Sequence, residues 1–232
     1  MTEGPLPGGL DHAAEDARRA QLLSTEHWSL LATRSMSWNE AFSRTGTFLS
    51  TLSAGTVALA LAGPAMSFGG AFALFALIVL SVTLFLGIAT FVRLVQVNNE
   101  DLYWVSGMNL IRAEYARLSP GIEKSFVSGH TLDTEGIART FGAFDVTSNI
   151  SPFHMLVTTP AIVAVISSAI AGVIAGLLVI QVGHDVIVAL IAGAIVFVAA
   201  VVISITYAIR ENKRYIARAI DSRLPTSIDS TE

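Results

Sequence analysis

Residues 45–92 read TGTFLSTLSAGTVALALAGPAMSFGGAFALFALIVLSVTLFLGIATFV, a run without a charged side chain between Arg44 and Arg93. A helix needs about 20 apolar residues to cross the hydrocarbon core of a bilayer. The run is therefore long enough for two membrane-spanning helices, with a turn at the glycine- and proline-containing segment 63–70 between them. The sequence predicts a transmembrane hairpin over residues 45–93.

A second apolar region extends from Asp145 to Arg210 and is interrupted only by the sequence QVGHD at residues 181–185. The same argument predicts a second hairpin over residues 152–209, entered through Ser151, a typical helix N-cap residue that proline follows. Together the two regions predict an all-α, polytopic membrane protein with four transmembrane helices arranged as two hairpins and with helical cytoplasmic extensions.

The composition agrees with a membrane protein, because 53% of the residues are hydrophobic and only 14% are charged, against about 25% charged in soluble domains. The chain has no cysteine, which excludes disulfides and thiolate ligands. No pair of its five histidines has metal-ligand spacing, and no phosphate loop, nucleophile elbow or pair of catalytic carboxylates occurs in a helix-turn context. We therefore predict no enzymatic activity, no catalytic residue, no metal and no cofactor. Because the predicted spans contain no Asp, Glu, Lys or Arg, an ion-coupled pump is also disfavoured.

The positions of the 14 Lys and Arg residues predict the orientation in the membrane. Four lie before the first hairpin, five between the hairpins and five after the second, and neither short turn contains one. Cytoplasmic segments next to transmembrane helices are enriched in these residues. We therefore expect both termini and the middle segment in the cytoplasm and both turns outside.

The segments outside the hairpins complete the predicted domain organisation. They are a disordered tail (1–10), a cytoplasmic amphipathic helix (11–44), a cytoplasmic stalk helix with a connecting segment (94–151), a C-terminal cytoplasmic helix (210–224) and a tail (225–232). Two apolar faces follow helical spacing. The first consists of Trp28, Leu31, Ser35, Trp38, Phe42 and Leu49, and the second of Trp104, Met108, Ile111, Tyr115 and Leu118. The second face needs a partner, and the N-terminal and C-terminal helices are the candidates.

Two further sets of residues are expected to act in the membrane. Small residues at every fourth position let helix backbones approach closely in lipid, within one chain or between chains. The predicted helix-packing residues are Ala54, Ala58, Ala62, Ser168, Gly172 and Gly176. Aromatic and basic residues at the ends of spans act as interface anchors. The predicted anchors are Trp28, Trp38, Arg44, Arg93 and Trp104.

The candidate functional residues are the polar cluster Asn98, Asn99, Glu100 and Asp101, which follows the second span. Acidic rings concentrate cations at channel mouths, so this cluster predicts a cytoplasmic pore mouth in a symmetric oligomer. A solvated helix face is the alternative. Hydroxyl residues inside the spans either line a pore or bond back to their own helices.

The segments LATRSMSWNEAFSR (31–44), ATFVRL (89–94) and NNED (98–101) resemble a group of uncharacterised integral membrane proteins common in actinobacteria, over about residues 25–215. This resemblance implies a bacterial inner (cytoplasmic) membrane protein. The layout of a cytoplasmic helix, a two-span hairpin and a trailing helix is also similar to the two-span effector domains of the SLATT group, to which pore formation is attributed. The second hairpin departs from that layout.

The sequence thus predicts a non-enzymatic inner membrane protein that forms a homo-oligomeric channel or pore. Its expected partners are the lipid bilayer and further copies of itself, and no nucleic acid. The alternative is a membrane-anchored scaffold whose cytoplasmic helices bind a soluble cytoplasmic protein through an exposed face that contains Trp104, Met108 and Ile111.

Overall fold

A computed structural model of the chain describes residues 7–140 and 158–221. Some sequence predictions lie outside the described residues. They concern the start of the N-terminal tail (1–6), the end of the connecting segment and the start of the second hairpin at Ser151 (141–157), the last residues of the C-terminal helix (222–224) and the C-terminal tail (225–232).

The described residues form helices and no strands. In chain order they are α1 (Pro7–Ala65), α2 (Gly70–Leu118), a 3-10 helical turn (Ile122–Ser125), α3 (Thr134–Thr140), α4 (Thr159–Gln181) and α5 (Val186–Asp221). Four of them, α1, α2, α4 and α5, are long and apolar enough to cross a membrane. The predicted all-α class and the four candidate spans are therefore confirmed.

The turn between α1 and α2 explains why residue 63, in the predicted turn segment, is a glycine. α1 ends at Ala65, and Ser67 and Phe68 both adopt φ of 51°, in the left-handed region. This turn brings the Phe68 ring over Gly63, where a Cβ atom would lie 2.9 Å from Phe68 Cζ. Only glycine leaves room for the ring, which also stacks edge-on against Phe72 at a centroid distance of 5.4 Å.

The end of α4 uses a glycine for its backbone conformation. Gly183 has φ of +90°, and its N–H donates to the carbonyl of Ile180 at 2.9 Å, while the N–H of His184 donates to the carbonyl of Val179 at 3.3 Å. This pair of bonds is a Schellman motif, which satisfies carbonyls at the end of a helix and favours glycine in the left-handed position. The chain then reverses, and α5 begins at Val186.

The chain divides into two compact units. We call Met1–Trp38 with Glu100–Asn149 the stalk unit and Asn39–Asn99 with Ile150–Glu232 the span unit. Helices α1 and α2 each contribute to both units.

In the span unit α1 and α2 run antiparallel. A Cβ atom at Gly55 would lie 3.0 Å from Val79, and one at Gly87 would lie 2.9 Å from the Phe48 ring. Glu40, nearer the N-terminus, pairs with Arg93. Residues nearer the N-terminus of α1 therefore contact residues nearer the C-terminus of α2, as in an antiparallel pair of helices.

Helices α4 and α5 of the span unit cross with their backbones in contact. A Cβ atom at Gly172 would lie 2.7 Å from the carbonyl oxygen of Gly193, and one at Gly193 would lie 2.8 Å from that of Gly172. A Cβ atom at Gly176 would lie 3.3 Å from the carbonyl oxygen of Ala189. Three small positions therefore allow the contact, as expected of helices that associate in lipid.

In the stalk unit the N-terminal part of α1 packs on the C-terminal part of α2. Leu30 lies against Gly107. Arg34 pairs with Asp101, and Arg19 pairs with Glu114. The N-terminal helix is thus a partner of the apolar stalk face, one of the two candidates from the sequence. In the same part of α2, the side chains of Val105, Met108 and Ile111 are buried within the chain.

The packed face of α1 differs from the apolar face that the sequence indicates. Trp28 and Leu31 are exposed, and the Trp28 side chain retains 67% of its accessible surface. Leu30 and Arg34 lie inward instead, one position away on the helix. The inward face contains a charged residue that is satisfied by a partner on α2. The outward position of Trp28 leaves its role as an interface anchor a prediction.

Candidate functional site

The four residues of the predicted pore mouth do not share one environment. Asn98 is exposed and Glu100 is half-buried, whereas Asn99 and Asp101 retain only 4% and 2% of their accessible surface. Consecutive residues on a helix point in directions about 100° apart, so a four-residue run cannot face one way. The pore mouth remains a prediction, and Glu100 is the acidic residue on which it rests.

Asp101 is held by a cation of its own chain. Arg34 donates from Nε to Oδ1 of Asp101 at 2.5 Å and from Nη2 to Oδ2 at 3.0 Å. This two-pronged geometry is the strong form of an arginine–carboxylate pair. The Asp101 side chain is 3% exposed and that of Arg34 29% exposed, so removal of either partner leaves a poorly hydrated charge.

The predicted anchors Arg44 and Arg93 meet at one carboxylate of the span unit. Arg93 Nη2 donates to Glu40 Oε2 at 2.8 Å, and Arg44 Nε donates to Oε1 at 2.8 Å. The hydrogen bond from Arg93, followed by that from Arg44, holds the pKa of the Glu40 carboxyl below its usual value. These three residues flank the uncharged run at both of its ends and tie α1 to α2 there.

A buried asparagine organises the stalk unit. Asn109 Nδ2 donates to the carbonyls of Thr131 and Gly136, at 2.9 and 3.2 Å. Its Oδ1 accepts from Arg112 Nη1 at 2.9 Å and from Thr140 Oγ1 at 2.8 Å. All four hydrogen-bonding positions of the amide are used, so Asn109 holds α3 and its preceding loop on α2 and has no capacity left for a ligand.

The titratable groups of the described residues do not form a metal centre, since no three His, Cys, Asp or Glu side chains gather there. His27 of the stalk unit has a buried Nδ1 without a hydrogen-bond partner among the described residues. Its burial, and secondarily the positive charge of Arg112, lower the pKa of His27. The imidazole is therefore neutral at pH 7.

In the membrane half of α1, several small or hydroxyl-bearing side chains are left uncovered by other helices, beside the exposed apolar side chains of Leu49, Val57 and Leu61. The small and hydroxyl-bearing ones include Thr47, Ser50, Ser53, Ala54 and Thr56. α1 is the least apolar of the four candidate spans, and only 11% of its most apolar 18-residue segment is buried within the chain. α5 is the most apolar, and 6% of the corresponding segment is buried. Lipid suits the aliphatic side chains that α5 exposes, but it offers no hydrogen-bond donors to the hydroxyl oxygens that α1 exposes.

Several hydroxyls of the candidate spans bond back to their own helices, one of the two roles considered from the sequence. Thr47 and Thr56 donate to the carbonyls four residues earlier, at 3.0 and 2.8 Å. Thr83 and Ser168 do the same at 2.8 and 2.7 Å. Such bonds satisfy the donor but leave the oxygen atom as an acceptor at the surface of α1.

The predicted packing residues fall into two groups. Gly172 and Gly176 lie at the crossing of α4 and α5 within one chain, and Ser168 is buried. On α1, Ala54 is exposed and Ala58 and Ala62 are half-buried. Here the close approach to α2 occurs at Gly55, which lies on a neighbouring row of small residues.

A junction of three helices was not apparent from the sequence. A Cβ atom at Gly87 of α2 would collide with Ser167 Oγ of α4 and with the ring of Phe48 of α1. Ser167 Oγ is buried and has no hydrogen-bond partner among the described residues. A single glycine between Leu86 and Ile88 gives no periodic signal, so only the packing reveals its role.

The fold defines a class, that of helical proteins with four candidate membrane spans. No family model, no curated protein and no solved structure matches the chain. The resemblance to actinobacterial membrane proteins and to the SLATT layout therefore remains a prediction.

Proposed function

We propose that this chain is a non-enzymatic protein of the bacterial inner membrane that assembles into a homo-oligomer and forms a channel or pore. In this proposal the four helices cross the membrane as two hairpins. The N-terminal part of α1, the C-terminal part of α2 and the end of α5 extend into the cytoplasm, as does each terminus.

The observation that supports the proposal most is the mismatch between the composition of α1 and its burial. A hydroxyl-rich helix gains little from lipid contact, because lipid offers its uncovered oxygens no hydrogen-bond donors. Among the described residues, α2 approaches α1 closely at Phe48 and Gly55, whereas Ser50 and Ser53 are exposed. Contact with further copies, or with water on a pore axis, would supply the missing environment for Ser50 and Ser53.

Helix α5 provides the internal contrast. It has the most apolar span and shares with α4 a contact that glycines already bring to backbone distance. Its exposed surface includes the aliphatic side chains of Ile195, Val198 and Val202. We therefore place α5 at the lipid-facing periphery of the oligomer and α1 at its centre.

Cysteine accessibility tests this placement, because the native chain has no cysteine and each variant carries one thiol. We expect Ser50→Cys or Ser53→Cys to react with a water-soluble, membrane-impermeant thiol reagent and to lose conductance in a planar bilayer. Thr206→Cys is the matched control, because Thr206 is also an exposed, span-located hydroxyl residue but lies on α5.

Two results would count against the proposal. Equal and low reactivity at all three positions, together with no measurable conductance, would contradict a water-filled path beside α1. Disulfide-linked dimers of Ser50→Cys without conductance would retain the homo-oligomer and exclude the channel.

A scaffold is the second candidate, and a different observation favours it. The stalk unit exposes Leu22, Trp28 and Met36. The stripe through Met108 and Ile111 that the sequence indicated for a soluble partner is covered by the chain itself, so that part of the scaffold hypothesis was wrong. A photo-cross-linking amino acid at position 28 distinguishes the two functions. A scaffold would be cross-linked to a soluble protein, whereas a pore would be cross-linked to further copies of the same chain.

A further inference from the structure

One face of α1 in the stalk unit is exposed and carries no charge. Successive helical residues are about 100° apart, so the residues of 13–35 that point within about 60° of Trp28 form one face, and all of them are exposed. This face, which we call the stalk stripe, includes Ala17, Ser24, Trp28, Leu31, Ala32 and Ser35. Trp28 and Leu31 retain 67% and 37% of their accessible surface. Large apolar side chains on an uncovered, uncharged face are typical of a surface that contacts another protein.

The charged residues of the same part of α1 lie on its other faces. Between residues 13 and 38 they are Glu15, Asp16, Arg18, Arg19, Glu26 and Arg34. The nearest of them in angle is still about 80° from Trp28 around the helix. Two of them pair with carboxylates of α2, Arg19 with Glu114 and Arg34 with Asp101. The contact between these two different helices is therefore marked by ion pairs, whereas the stalk stripe has no charge with which to select a partner of opposite charge.

A charge-free face is what a contact between identical helices requires. Copies inserted in one membrane with the same orientation have parallel helices, so each residue lies at the same height as its counterpart in the neighbouring copy. A charged residue in such a contact would face its own like charge, which costs free energy, whereas a contact between different helices can pair opposite charges. Uncharged polar residues such as Ser24 and Ser35 can instead form hydrogen bonds with their counterparts. The charge pattern therefore favours a second copy of this chain over an unrelated soluble partner.

We infer that the stalk stripe of one copy packs against the stalk stripe of a second copy, with the two α1 helices parallel and in register. The contact rests on the homo-oligomer proposed above and extends the interface between copies from the membrane to the cytoplasmic stalk. The residue spacing suits such a contact, because Trp28 and Ser35 are seven residues apart, as are Ser24 and Leu31. With this spacing the two pairs occupy the a and d positions of a parallel coiled coil, which alternate along its seam.

Cysteine cross-linking of the purified full-length chain in proteoliposomes tests the inference, because the native chain has no cysteine and each variant carries one thiol. Ser35→Cys places the thiol on the stalk stripe. Ser29→Cys is the matched control, since Ser29 is also exposed on α1 but points about 100° away from Trp28. With a short bismaleimide we expect Ser35→Cys to form dimers about tenfold faster than Ser29→Cys, because the contact holds the two thiols at a high effective concentration.

A second pair of variants tests the role of charge. Trp28→Asp in the Ser35→Cys background places like charges against each other and should slow dimer formation about tenfold. Leu22→Asp in the same background is the control, because Leu22 is 64% exposed and lies about 120° from Trp28 around the helix. Its cross-linking rate should not change.

Mixed oligomers of Ser24→Cys and Ser35→Cys chains test the register. In a parallel contact in register, each variant cross-links to itself. The two positions are 11 residues apart, which is about 16 Å along the helix, so cross-links between the two variants should form about tenfold more slowly. Mixed cross-links that form as fast as the others would overturn the parallel, in-register contact.

The number of copies in lipid separates this inference from the proposed function. An oligomer in which Ser35→Cys cross-links no faster than Ser29→Cys, or in which Trp28→Asp has no effect, would overturn the stripe contact and leave the homo-oligomer in place. That result is also expected if the stripe binds a soluble protein or the membrane surface instead of a second copy. A chain that is monomeric by mass photometry in nanodiscs would overturn both.

Discussion

The interpretation of Asp101 depends on knowing which residue its carboxylate contacts. In the sequence it belongs to a polar run with Asn98, Asn99 and Glu100, and such a run is typical of a solvated or pore-facing helix end. In the structure its carboxylate bonds to Arg34, which is 67 residues away in the chain. Pairings at this separation leave no local pattern, so the sequence could suggest the charge but not its neutralisation.

This pairing gives a prediction for stability. Asp101→Ala removes the buried carboxylate that accepts two hydrogen bonds from the Arg34 guanidinium and should lower the free energy of unfolding of the stalk unit by about 3 kcal/mol. Hydrogen exchange of the α2 amides around residue 101 measures it. The control is Glu135→Ala, whose partner Arg139 is exposed, with an expected cost below about 0.5 kcal/mol. Equal exchange in the two variants would contradict the assignment of a buried ion pair.

Glu40 gives a prediction of pH dependence. Because the hydrogen bonds of Arg93 and Arg44 lower the pKa of Glu40 in the folded state, the folded state binds the proton less readily than the unfolded state. Its contribution to stability is therefore present above the unfolded pKa of about 4.3 and is lost as the pH falls through the folded pKa. Between pH 6 and pH 3, the midpoint of thermal unfolding should fall more steeply in the native chain than in the Glu40→Gln variant. Parallel profiles would show that this carboxylate is not coupled to folding.

At the scale of helices, the sequence predicts the spans but not all of their contacts. The bilayer imposes a minimum length of apolar helix, so four candidate spans can be counted directly from charge-free runs. Gly172 and Gly176 belong to a periodic row of small residues, and this pattern predicts them as packing residues. No such pattern marks Gly193 and Gly87, because a close contact depends on which residue of another helix lies opposite.

The α4–α5 crossing predicts an asymmetry between two glycine-to-alanine variants. Gly172→Ala places a methyl group 2.7 Å from the carbonyl oxygen of Gly193, so the two backbones must separate at a cost of about 1–3 kcal/mol. Gly46→Ala on α1 meets nothing within 4 Å and should be neutral or stabilising by up to about 1 kcal/mol. Unfolding in mixed micelles compares the two. If Gly172→Ala is no less stable than Gly46→Ala, the backbone contact between α4 and α5 is wrong.

At the scale of the whole molecule, the least apolar candidate span is among the least covered. One chain covers the Phe48 and Gly55 side of α1 and leaves Ser50 and Ser53 exposed, whereas the exposed surface of α5 includes many aliphatic side chains. A monomer in lipid would leave the acceptor atoms of these serines without donors along much of one helix. Association of several chains through α1 removes this conflict, and this is the central claim of the account.

The mass of the protein reconstituted in lipid nanodiscs tests that claim most directly. The chain has a mass of 24.6 kDa, so mass photometry resolves the number of copies per disc. We predict a single symmetric species of four or more chains, which dissociates when Ser50 and Ser53 are both replaced by leucine. A native chain that remains monomeric in the disc at high protein-to-disc ratios would contradict the homo-oligomer, and with it the channel.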